Sequence, residues 1–142
     1  MVTRASEQAS ELSELLKKRG AIPIEVPTIS ILPPVDWAEV DGAISHLDVY
    51  QLAIFTSQNA VRFFTERLKK IGRSVFPKHL VVACVGEKTA ESVLSLGVDR
   101  PIVPKNPMAS EELLDALRER YPSFRGMKVL IPHAEKGRDI LP

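Results

Sequence analysis

The fold is decided by a stretch in which an apolar run meets a helical pattern: Ile54-Phe55-Thr56-Ser57-Gln58-Asn59-Ala60-Val61. The run at 52–55 predicts a buried strand, and the apolar spacing after residue 59 predicts an amphipathic helix. In a parallel sheet the turn between them lies at the carboxyl edge, where ligands bind. The free N–H groups and dipole of the helix start favour an anion, which the side chains of residues 56–59 could orient. The same residue types are ordinary N-caps, so capping alone would also explain them.

The composition excludes several classes of protein. The chain has 142 residues, 44% of them hydrophobic, which is ordinary for a globular protein. A formal net charge of +1 gives no general attraction to nucleic acid or to a membrane surface. Cys84 is the single cysteine, so the chain holds no intramolecular disulfide. No apolar stretch is long enough to cross a bilayer and no leader pattern opens the chain, so we expect a cytoplasmic protein.

The order of predicted elements indicates the fold class. Apolar periodicity predicts helices near 6–19, 40–47, 59–71, 87–96 and 110–120, and strands near 52–55, 80–85, 102–104 and 128–131. Strands that alternate with helices predict an α/β protein with a parallel sheet and helices on both faces. Pro33-Pro34 predicts a domain boundary. Asp139 to Pro142 is typical of a helix that is about to begin, so we expect the chain to be a fragment.

A second strand–turn–helix follows the first, at Val82 to Ala90. Gly86 would permit a tight turn and close approach of a ligand to the backbone, and Thr89 is expected to point its hydroxyl out of the first helical turn. We refer to the two segments as turn 56–59 and turn 86–89. They are predicted to line one rim of a cleft, although two unrelated turns would produce the same pattern.

A third loop, residues 132–138, follows the last strand at the same edge of the predicted sheet. Lys136 and Arg138 could pair with substrate carboxylates, although a solvated loop is the commoner role of such a charge run. His133 could act as an acid or base, but no carboxylate or nucleophile is visibly paired with it in the sequence. Met1-Val2-Thr3 is predicted to be the remnant of a first strand. Arg4 at its end could face the same cleft or simply cover a helix start.

Other routes to chemistry have weak support in the sequence. The three histidines lack metal-ligand spacing, and Cys84 lies among valines, as a small core residue would. Dinucleotide-binding, P-loop and nucleophile-elbow motifs do not occur in this sequence.

Several motifs together resemble the uroporphyrinogen-III synthase family of tetrapyrrole biosynthesis. Residues 54–61 match its signature F-T-S-x-N-A-V, and residues 85–90 match V-G-x-x-T-A. Shorter similarities lie at Val2-Thr3-Arg4, Val26-Pro27-Thr28-Ile29, Ser110-Glu111-Glu112-Leu113-Leu114 and Lys136-Gly137-Arg138-Asp139-Ile140-Leu141-Pro142. Their order and spacing extend over nearly the whole chain, which makes the resemblance fairly specific.

The resemblance implies a two-domain enzyme of about 250 residues. Each domain is expected to be a three-layer α/β/α parallel sheet with flavodoxin-like strand order. Residues 1–34 would form the N-terminal segment of a split domain 1, with a strand, a helix, a second strand and the crossover. Residues 35–142 would form most of an inserted domain 2, which lacks its last helix and strand.

The implied reaction is the cyclisation of hydroxymethylbilane to uroporphyrinogen III, with loss of water and inversion of ring D. It makes the parent enzyme a lyase of haem biosynthesis, without a metal or organic cofactor. Acetate and propionate groups on every ring of this tetrapyrrole would be held by Thr56, Ser57, Asn59, Gly86 and Thr89. No catalytic residue is assigned, because the family tyrosine that assists loss of the hydroxyl lies beyond the final motif. Tyr50 and Tyr121 do not match its position.

The resemblance also bears on partners. The parent is expected to be a monomer that binds neither nucleic acid nor membrane. The fragment is expected to be inactive or very weak, and an unfinished sheet edge could make it self-associate. The alternative is a non-catalytic α/β module that binds a small anion or a partner. Tight nucleotide binding without tetrapyrrole binding would favour that module.

Overall fold

The computed structural model describes residues 6–26, 28, 30–104 and 110–133. The chain divides into two compact units, Met1–Pro33 and Pro34–Pro142. In the first unit, α1 covers Ser6–Lys17. Gly20 follows it with a φ of 81°, a left-handed conformation that favours glycine. The N–H of Gly20 donates to the carbonyl of Lys17 at 2.9 Å, which ends the helix as predicted.

The second unit contains the alternating elements. Its helices are α2 (Ala38–Ser45), α3 (Gln58–Lys70), α4 (Glu87–Val93) and α5 (Ser110–Arg120). Its strands are β1 (Leu52–Phe55), β2 (Val81–Cys84) and β3 (Val129–Leu130). Short 3-10 turns follow α2 at Leu47–Val49 and α4 at Leu94–Leu96. The predicted strand near 102–104 is reduced to one bridge, between Ile102 and Ala83.

The described strands form a parallel sheet in the order β2-β1-β3. In its register Leu52 lies between Val81 and Val129, and Phe55 lies opposite Cys84. The parallel α/β class is therefore confirmed. The flavodoxin-like order of a complete sheet stays a prediction, because it involves more strands than those described.

Strand alternation divides the core into two layers. On one face, Ala53, Phe55 and Val82 pack with α3 and α4 in the larger cluster of buried residues. On the other face, Leu52, Ile54 and Ala83 pack against Leu113 and Leu117 of α5. Helices thus cover both faces of the sheet, which confirms the three-layer arrangement. Within the described ranges, no helix has the length and apolar character needed to cross a membrane.

Candidate functional site

The sheet register brings the two predicted turns together. β1 and β2 end side by side, and the N–H of Val85 donates to the carbonyl of Phe55 at 3.2 Å just beyond the paired residues. The side chain of Gln58 then reaches from α3 to α4. Its amide nitrogen lies 3.3 Å from the carbonyl of Lys88 and 3.5 Å from the hydroxyl of Ser92. Turn 56–59 and turn 86–89 therefore lie next to each other at the carboxyl edge of the sheet.

Turn 56–59 presents backbone donors at the start of α3. Ser57 is the N-cap, and its hydroxyl oxygen accepts a hydrogen bond from the N–H of Ala60 at 3.1 Å. The backbone N–H groups of Gln58 and Asn59 have no acceptor among the described residues. Thr56 is exposed and Asn59 is half-buried beside these groups. The capping interpretation of Ser57 is thus correct, and it leaves two adjacent N–H donors for an anion.

Turn 86–89 has an extended Gly86 and a mostly buried Thr89. Gly86 has a φ of −155°, an extended conformation that any residue adopts, so its backbone does not require glycine. Thr89 is only 7% exposed, because it lies one helical turn before the buried Val93 on the face towards the core. That fraction describes the whole residue, so the outward direction of the Thr89 hydroxyl stays a prediction. The residues that this turn exposes most are Glu87 and Lys88.

The two helix starts also differ in charge. The first turn of α3 carries no acidic residue, and its last turn carries three cations, Arg67, Lys69 and Lys70, which complement the helix dipole. The first turn of α4 carries Glu87, whose carboxylate lies at the positive end of that helix. An acidic ligand is therefore favoured at the start of α3 more than at the start of α4.

The strand order indicates where a ligand crevice lies. Along the chain, β2 is added on one side of β1 and β3 on the other side. The direction in which successive strands are added therefore reverses between β1 and β3. In open α/β sheets, ligands bind at such a reversal, outside the carboxyl ends of the strands. Turn 56–59 follows β1, which borders this reversal, and turn 86–89 follows the neighbouring strand β2.

The third predicted loop is only partly described. β3 pairs with β1, so the chain leaves β3 at the same edge of the sheet, and the exposed His133 lies three residues after Leu130. Lys136, Arg138 and Arg4 lie outside the described residues. Their predicted roles remain predictions.

Cys84 and the Arg67–Asp41 pair have structural roles. Burial raises the pKa of Cys84 to about 12, so its thiol is neutral and belongs to the core, as predicted. Arg67 makes two hydrogen bonds to the carboxylate of Asp41 and lies over the ring of Trp37. The hydrogen bond from Arg67 holds the pKa of Asp41 below its usual value. In the part of the chain that the structure describes, no group of three His, Cys, Asp or Glu side chains could hold a metal ion.

Sequence reasoning missed the role of Gln58. The sequence suggested its amide as a ligand group, whereas the structure uses that amide to bridge two helices. Its partners are 30 and 34 residues away in the chain, so only the pairing of β1 with β2 reveals the contact.

Comparison with known proteins gives a consistent result. A family model described as "Uroporphyrinogen-III synthase HemD" matches residues 10–142. The chain is 32% identical to the uroporphyrinogen-III synthase of Synechococcus elongatus over 138 residues, which is 96% of this chain and 50% of that protein. It is 31% identical to a putative uroporphyrinogen-III synthase of Methanothermobacter thermautotrophicus, over 99% of this chain and 54% of that protein. A third relative, a putative uroporphyrinogen-III synthase of Methanocaldococcus jannaschii, is 34% identical, with 99% of this chain and 55% of that protein covered.

The chain thus spans about half the length of these curated relatives. The family match covers both signature turns and the whole described sheet. With the predicted motifs adjacent at one sheet edge, the sequence and structural observations agree that this chain belongs to the uroporphyrinogen-III synthase family.

Proposed function

We propose that this chain is part of a two-domain uroporphyrinogen-III synthase, a lyase that closes hydroxymethylbilane to uroporphyrinogen III. Residues 1–34 would contribute to split domain 1, and residues 35–142 would form most of inserted domain 2. The reaction expels water and inverts ring D. The observation that carries the proposal is the adjacency of turn 56–59 and turn 86–89, joined through Gln58.

The geometry supports binding of an acidic tetrapyrrole. Two neighbouring N–H groups at the start of α3 would bind one substrate carboxylate, and the helix dipole would stabilise its charge. Thr56 and Asn59 would orient it. Backbone groups of turn 86–89 would meet a second carboxylate on a neighbouring ring. Arg4, Lys136 and Arg138 are proposed to supply cations to the substrate carboxylates.

Positioning is the proposed source of rate acceleration. Hydroxymethylbilane is a flexible linear chain whose two ends must meet, so holding its carboxylates at fixed points reduces the entropy that the ring closure costs. Among the described residues we assign no acid or base to the loss of the hydroxyl.

The activity test is the product isomer made by the proposed full-length synthase. Freshly made hydroxymethylbilane closes spontaneously to isomer I, whereas the enzyme should give isomer III. We expect isomer III from the full-length protein and little or none from the 142-residue chain alone. Only isomer I from the full-length protein would contradict the proposed function. Abundant isomer III from the 142-residue chain would contradict its proposed inactivity.

A matched pair of substitutions at residue 58 tests the backbone donors. Gln58→Ala removes the side chain but keeps the N–H, whereas Gln58→Pro removes both. Proline suits this first helical position because the preceding Ser57 is extended, with φ −156° and ψ 154°. We expect Gln58→Pro to bind uroporphyrin III, the oxidised product, about tenfold more weakly than Gln58→Ala. Equal affinities of the two variants would exclude this N–H as a donor.

Location and oligomeric state remain proposals. We propose a cytoplasmic, monomeric enzyme, in keeping with a buried Cys84 that stays a neutral thiol. We also propose that the 142-residue chain by itself associates through its sheet edge. Light scattering that shows a monomer over a wide concentration range would count against this association.

A further inference from the structure

The side chain of Gln58 connects the first residue of α3 to the first two turns of α4. Its amide nitrogen is 3.3 Å from the carbonyl oxygen of Lys88 and 3.5 Å from the hydroxyl oxygen of Ser92. The Ser92 hydroxyl in turn donates to the same Lys88 carbonyl at 2.9 Å. Three polar groups from two helices therefore meet at one point. We call this cluster of Gln58, Lys88 and Ser92 the strap.

The strap supplies a constraint that the apolar packing beneath it does not. Buried residues such as Val61, Phe64 and Val93 hold α3 and α4 in the same core cluster. Apolar contacts are non-directional, so they resist separation of the helices more than sliding of one along the other. Hydrogen bonds to a fixed carbonyl are directional and set the axial position. The strap therefore adds a contact between the helices to the spacing of the two turns that the β1–β2 register and the bond from Val85 to Phe55 already set.

We propose that Gln58 is a positioning residue that helps to set the spacing of the two turns for the carboxylates of neighbouring pyrrole rings. This inference rests on the proposed function. A ligand with several carboxylates gains affinity when its binding points are held at one spacing, because the second contact then forms at high effective concentration. Once both carboxylates are bound, the ligand itself holds the two turns at the productive spacing, so the cost of losing the strap falls on binding. KM should therefore rise while kcat stays constant.

The principal test compares Gln58→Met with Gln51→Met in the proposed full-length synthase. Methionine keeps the length and helix propensity of glutamine and removes the donor without adding charge. Gln51 is a matched control: its side chain also bridges two segments, bonding Val49 and Lys128 at 2.9 and 2.7 Å, but it does so at the amino end of β1. We expect Gln58→Met to raise KM about threefold to tenfold with kcat unchanged, and Gln51→Met to leave KM unchanged.

A second variant tests the strap independently, in case Gln58→Met does not fold. Ser92→Ala removes one partner of the strap at a half-buried position and should raise KM in the same direction by a smaller factor. The double variant should show less than the product of the two single effects, because both remove the same cluster. If both single variants keep the parental KM, or if only kcat falls, Gln58 has a structural role and the inference is overturned.

A binding measurement separates this inference from the proposed function. The dissociation constant of uroporphyrin III can be measured for the same variants whether or not isomer III forms. A parent that forms no isomer III overturns the proposed function alone. The strap inference then stands if Gln58→Met weakens uroporphyrin binding relative to Gln51→Met, and it fails if the two bind equally.

Discussion

Replacing Ser57 by aspartate separates the capping role of this residue from the binding role of the helix start behind it. The Ser57 hydroxyl accepts the N–H of Ala60 at 3.1 Å. Aspartate is an equally good N-cap, so Ser57→Asp should keep this bond. Its negative charge also interacts favourably with the dipole of α3, which stabilises the folded chain by about 0.3–1 kcal/mol. The midpoint of thermal unfolding should therefore stay constant or rise by up to about 4 °C.

The same charge should oppose an acidic ligand. A ligand carboxylate at hydrogen-bond distance from the N–H groups of Gln58 and Asn59 would lie about 5 Å from a carboxylate that caps Ala60. At that distance two like charges repel by about 1–3 kcal/mol for an effective dielectric constant between water and a protein surface. Affinity for uroporphyrin III should fall by roughly fivefold to 150-fold, and the difference from the parent should shrink as salt is added.

Fluorescence titration with uroporphyrin III, paired with thermal unfolding, measures both effects. Ser57→Ala is the matched control: it loses the cap, which costs about 1 kcal/mol of stability, but it adds no charge. We predict that Ser57→Ala is the less stable of the two variants and that Ser57→Asp binds uroporphyrin III more weakly. If Ser57→Asp binds as tightly as the parent at low salt, no ligand carboxylate lies at the start of α3.

Three further outcomes test the fold. Phe64 is 3% exposed, and its ring centroid lies 5.8 Å from those of Phe55 and Phe76. Phe64→Ala should therefore lower the free energy of unfolding, measured in urea, by about 3–5 kcal/mol. A loss below about 1 kcal/mol would contradict this packing. Because the pKa of Asp41 is lowered in the folded state, its contribution is present above the unfolded pKa and lost as pH falls through the folded pKa. As pH falls through and below 3.8, the ordinary pKa of aspartate, Asp41→Asn should therefore lose less stability than the parent. Parallel curves for the two proteins would refute the ion pair. Cys84, with a pKa of about 12, should resist alkylation at pH 8 until urea unfolds the chain; rapid labelling of the native protein would show an accessible thiol.

The sequence predicted the elements whose signal is local. The run Leu52 to Phe55 is buried on both faces, as a central parallel strand requires, and its continuous apolar character is visible without a structure. The N-cap at Ser57 follows from residue type and position alone. Adjacency of the two turns followed from one general rule about parallel sheets.

The contacts that the sequence could not predict depend on tertiary packing. Thr89 has the residue type of a surface hydroxyl, yet it lies one helical turn before Val93 and is mostly buried. Gln58 was suggested as a ligand group because it lies in the signature turn, but pairing of β1 with β2 brings α4 within its reach. Ile102 makes one bridge rather than a strand, since local apolar character does not fix how many residues pair.

The central claim is that the backbone at the start of α3, together with the neighbouring turn, binds an acid-bearing tetrapyrrole. Its most direct measurement is an NMR titration of the ¹⁵N-labelled chain with uroporphyrin III. We predict that the largest amide shifts occur at Gln58 and Asn59, with smaller ones at residues 86–88. Shifts confined to other parts of the chain, with these amides unmoved at saturation, would contradict the account.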